Sequence, residues 1–76
     1  MAGTTTSNIL AEMVASVLSV AVAPGDHVEA GDTVMLLESM KMEIPVLVEH
    51  AGTVQDVRVV AGDVIQEGDL LVVLEH

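Results

Sequence analysis

Two stretches decide the fold because they say the same thing: APGDHVEAGDTVMLLE, residues Ala23–Glu38, and VAGDVIQEGDLLVVLE, residues Val60–Glu75. They lie 37 residues apart, and the match extends to Asn8–Ser39 over Pro45–His76. Leu10/Leu47, Glu12/Glu49, Val17/Val54, Val20/Val57, Val22/Val59, Gly25/Gly62, Asp26/Asp63, Gly31/Gly68, Asp32/Asp69, Leu37/Leu74 and Glu38/Glu75 are identical, 11 of 32 positions. Chance would supply roughly three, so the chain is read as a duplicated half.

Each copy reads as strands. Val17–Val22 and Val54–Val59 carry valine at every second or third position, and Val34–Glu38 and Leu70–Glu75 are short aliphatic runs. Such segments favour strands over helices. The Gly-Asp pairs at 25–26, 31–32, 62–63 and 68–69 mark turns, since glycine accepts positive φ and aspartate bonds nearby backbone. Pro45 points to an edge strand or a bulge. Four strands per copy predict an all-β unit: a flattened barrel or sandwich of two roughly four-stranded antiparallel sheets with quasi-two-fold symmetry. The expected division is a flexible tail over residues 1–8 and one domain over 9–76.

Composition narrows the function. The chain has 76 residues, no cysteine and no aromatic residue other than histidine, so its core is built from Val, Leu, Ile, Ala and Met. The formal charge is −10, with Lys41 and Arg58 the two strong cations. Nucleic acid and anionic membrane surfaces are poor partners for such a chain. No run is long and apolar enough for a transmembrane helix, and the opening MAGTTTSN lacks the regions of a signal peptide. A cytoplasmic monomer is expected. His27, His50 and His76 are scattered without metal-ligand spacing, so no metal site is expected. Arg58 reads as a surface residue with a carboxylate partner.

The paired copies stop at Ser39 and resume at Pro45, leaving MKMEI at the junction. The chain must reverse there, which places Lys41, the one lysine, at or beside a hairpin tip. By the same symmetry the two chain ends lie at the corresponding place on the opposite side. Tight hairpins prefer Asn-Gly or Asp-Gly. Met40 and Lys41 break that rule while the other turns obey theirs, the mark of a candidate functional site. An exposed primary amine can be acylated or form an imine. The methionines suit a contact surface, although one of them could instead fold onto the barrel as packing.

ESMKM, Glu38–Met42, in the middle of a two-copy β pattern resembles the attachment motif of the biotinyl-domain family, especially its small stand-alone members in actinobacteria and bacilli. The resemblance covers Ile9–His76. It implies a non-catalytic biotin carboxyl carrier, biotinylated on Lys41 by a biotin protein ligase through biotinyl-adenylate. It implies transfer of a carboxyl group from a biotin carboxylase to a carboxyltransferase of the acyl-CoA carboxylase type. Met40 and Met42 match the family's flanking methionines, and Glu38, Ser39 and Glu43 are the expected partner-recognition residues. Lipoyl domains share this fold with Asp-Lys-Ala at the tip, so a lipoyl carrier is one alternative; an unmodified interaction module is another. Some acetyl-CoA carboxylase carriers have an extra protruding segment in the first half, whereas Val17–Ala30 aligns with its counterpart without insertion.

Overall fold

The computed structural model describes residues 5–76. They form eight strands: β1 (Thr6–Leu10), β2 (Ala15–Val20), β3 (His27–Val28), β4 (Thr33–Ser39), β5 (Met42–Leu47), β6 (Gly52–Val57), β7 (Val64–Ile65) and β8 (Leu70–Glu75). There are two four-stranded antiparallel sheets, ordered β1-β8-β6-β3 and β5-β4-β2-β7. A shift of 37 residues carries each sheet onto the other. Each copy gives strands alternately to the two sheets, so the copies are interleaved. The edge strands β1 and β5 line a common groove where the sheets fail to close.

The core repeats the duplication. Val17/Val54, Val28/Ile65, Val34/Leu71, Met35/Val72, Leu37/Leu74 and Ala11/Val48 are all buried, pair by pair. Between the sheets these aliphatic side chains interdigitate without aromatic bulk. No polar or charged residue is buried among the described residues.

The Gly-Asp turns join the copies. Asp26, Asp32, Asp63 and Asp69 each accept the backbone N–H three residues earlier, at 2.8–3.0 Å. In the first of these turns Asp26 N–H also donates back to Ala23 C=O at 3.0 Å. Gly25 there has φ 97°; with Pro24 before it, this is the residue pattern of a type II turn. Gly25 N–H then bonds Val54 C=O and, in the mirror contact, Gly62 N–H bonds Val17 C=O, both at 2.8 Å. These two turns thus each clip a core strand of the other copy.

Two expectations change. The tail is in part a strand: Thr6, Ser7 and Asn8 pair with Glu75, Leu74 and Val73. Their polarity hides this in the sequence, but the free edge of β8 offers backbone partners that do not depend on side chains. The rest of that tail, residues 1–4, lies outside the described residues. The valine strands are also displaced: both begin two residues earlier than the valines suggest, because Ala15 and Ser16 pair with β7 and Gly52 and Thr53 with β3. Pro45 lies in edge strand β5. Arg58 follows β6 and pairs with Asp56 at 3.1 Å.

Candidate functional site: the β4–β5 turn

Strands β4 and β5 run together down to the pair Ser39↔Met42, and only Met40 and Lys41 lie between. Both have positive φ, 53° and 64°, and no other non-glycine residue among those described does. Two-residue hairpins close with positive φ at both positions because that backbone matches the strand twist. In a side-chain-bearing residue this conformation costs about 1–2 kcal/mol. The pairing of β4 with β5 over its full length imposes it. Such strain held in place by surrounding structure is characteristic of functional sites.

The turn projects its side chains. Met40 is 91% exposed and Met42 61%, so neither folds onto the barrel as packing. Lys41 is exposed as well. The ion pairs among the described residues are His27–Glu29 and Arg58–Asp56, and Lys41 belongs to neither. One rung inward, Glu38 and Glu43 face each other directly across the hairpin. Like charges in that arrangement are unfavourable, and both side chains are exposed. The structure therefore gathers Lys41, Met40, Met42, Glu38, Ser39 and Glu43 at one pole. Together they offer a fixed, uncovered amine on a small acidic and apolar platform.

The opposite pole has the same backbone without the turn. Thr6↔Glu75 stands where Glu43↔Glu38 stands at the tip. His76 N–H donates to Thr5 C=O at 2.8 Å, so the first and last described residues meet at this pole. The His76 ring caps that pole, with Nδ1 2.7 Å from Ala51 C=O and Nε2 2.6 Å from Ser7 Oγ. Gly52 makes room for it: a Cβ there would lie 3.0 Å from the ring and 2.8 Å from Glu75 O. Its counterpart in the lysine-bearing sheet is Ala15.

A family model described as "Biotin-requiring enzyme", covering biotin and lipoyl attachment domains, matches residues 4–74. The chain belongs to the biotin/lipoyl attachment family. Within this family it is 65% identical over 40 residues to biotinylated protein TB7.3 of Mycobacterium tuberculosis, a match covering 53% of this chain and 56% of that protein. It thus spans about half the length of the curated relatives it matches. Its fold is that of a segment of the Kluyveromyces lactis urea carboxylase, at TM-score 0.85 and 34% identity over 92% of this chain and 6% of that one. The lipoyl domain of the 2-oxoglutarate dehydrogenase complex from Azotobacter vinelandii also superposes, at TM-score 0.73 and 25% identity over 83% and 80% of the two chains.

The sequence did not flag Val14, exposed just before β2, or Val64, an exposed apolar residue that strand pairing brings into the same sheet as the tip. The available signal was the mismatch of each with its counterpart, Ala51 and His27.

Proposed function

We propose that this protein is a biotin carboxyl carrier, with biotin in amide linkage to Lys41 Nζ. The observation that carries the reading is the turn itself: a strained two-residue loop whose lysine amine stands clear of the protein between two exposed methionines. An amine so placed suits a group carried outside the domain and delivered into other active sites. The family supports biotin, and the relative named as biotinylated supports modification of a chain of this kind. A biotin protein ligase joins the amine to the biotin carboxyl carbon as AMP leaves biotinyl-adenylate. The ring, once attached, supplies a nitrogen that accepts and releases a carboxyl group.

The chain's own residues hold and present. Paired β4 and β5 fix the base of the arm, Met40 and Met42 give an apolar collar, and Glu38, Ser39 and Glu43 face the partner. None is a catalytic group. The partners are a biotin carboxylase and a carboxyltransferase of the acyl-CoA carboxylase type, and the carrier works as a cytoplasmic monomer. A lipoyl carrier is the second reading, favoured by the superposed lipoyl domain; Met-Lys-Met at the tip argues for biotin. Intact mass of the protein from its native host, with peptide mapping, separates them. One biotinyl group on Lys41 is the expected result. A lipoyl group there, or an unmodified chain in cells whose ligase loads other carriers, would overturn it.

A further inference from the structure

Methionine sulfur is the oxidisable chemistry of this chain. The sequence has five methionines and no cysteine, tryptophan or tyrosine. A thioether is soft and polarizable, and oxidants convert it to the sulfoxide. Which methionine reacts depends on whether the oxidant reaches its sulfur.

Four of the five lie among the described residues, and the fold grades them. Met35 is 0% exposed in the core, at the place Val72 takes in the other copy. Met13 is half-buried and packs against the same core. Met42 and Met40 are 61% and 91% exposed. These two belong to the junction, which has no counterpart in the duplication. The barrel therefore requires sulfur at neither position.

Electrostatics selects the oxidant. Glu38 and Glu43 stand one rung inward from the turn, and the chain carries −10. Such a field holds off an anionic oxidant but not a neutral hydroperoxide. The sulfur lone pair attacks the terminal peroxide oxygen. An S–O bond forms as the O–O bond breaks, and sulfur gives up two electrons. The leaving oxygen takes the proton that the attacked oxygen loses and departs as water or an alcohol.

We infer that Met40 and Met42 are a modification site for hydroperoxides, oxidised before the other described methionines and without loss of the fold. The product is a pair of polar sulfoxides where the turn had an apolar collar. Two thiols reduce each sulfoxide back, through a methionine sulfoxide reductase, with release of water. The consequence for loading rests on the carrier reading. Met40 and Met42 are the chain neighbours of Lys41, so an active site that encloses the amine must desolvate them too. Desolvating a sulfoxide without a partner is unfavourable. The oxidised chain therefore accepts biotin poorly until it is reduced.

The test treats the full-length unmodified chain with hydrogen peroxide, quenches it at intervals and maps the peptides by fragmentation mass spectrometry. Trypsin cleaves after Lys41 and so parts Met40 from Met42. Oxygen should appear on Met40 first, then on Met42, more slowly on Met13, and not on Met35 while the chain is folded. The urea midpoint should not move. With the biotin protein ligase of the same host, kcat/KM for loading should fall about ten-fold and return after the reductase and a dithiol. M40L/M42L, compared with its own untreated sample, should lose nothing. Met13 or Met35 oxidised as fast as Met40 overturns the site, as does an oxidised chain that loads as well as before. A fall in M40L/M42L, or an unfolded oxidised chain, puts the damage elsewhere and overturns it too. Untreated wild type that accepts no biotin overturns the carrier reading and the loading effect with it; the order of oxidation is read from the peptides whether or not the chain is loaded.

Discussion

Among the described residues five tight turns show positive φ, and four of them differ in kind from the fifth. At Gly25, Gly31, Gly62 and Gly68, φ is 91–98° and a neighbouring aspartate ties the turn down. At Met40–Lys41 the same sign of φ is carried by two long side chains with no such tie. The glycine turns use residues that accept the geometry freely, and they clip the two copies together. The lysine turn has its geometry forced on it by β4 and β5. In the four turns the residue serves the backbone; in the fifth the backbone serves the residue.

That contrast can be broken at either side. The largest effect is expected from Lys41→Arg, which keeps charge and reach but cannot form the biotin amide: capture on streptavidin falls to background, while the urea midpoint stays at the wild-type value. Next is Gly25→Ala. No atom lies within 4 Å of the added Cβ, so the change reports backbone strain alone. It should destabilise by about 1–3 kcal/mol, read from urea unfolding. Asp63→Ala removes the bond to Val60 N–H and should cost about 1 kcal/mol, by the same measurement. The smallest effect has the opposite sign. Lys41→Gly relieves one strained residue and should raise stability by about 0.5–1 kcal/mol, giving a carrier that is sturdier and inert. A Lys41→Gly chain no more stable than wild type would show that the turn stores no strain.

Much of this was legible in the sequence for definite reasons. The Gly-Asp pairs announced turns because few other residues do both jobs. The copies announced symmetry because core positions such as Val17 and Val54 must match if their surroundings match. Lys41 was legible by violation, as a lysine where glycine belongs. The start of β1 was not, since Thr6–Asn8 join the sheet through backbone bonds to β8 that leave no pattern in side chains. Nor was the place of Val64, which depends on β7 pairing with β2.

By itself the sequence determined the strand-rich class, the two-fold plan, the aliphatic core and the position of the lysine at a reversal of the chain. These follow from short-range chemistry: alternation, turn residues and the repeat. Only the tertiary structure decided that the copies interleave, each giving alternate strands to both sheets. Only it put Met40 and Lys41 together in left-handed backbone, and only it set Glu38 opposite Glu43 one rung below them. Backbone pairing decides those matters, and it acts between residues far apart in the chain, where no local pattern records the partner.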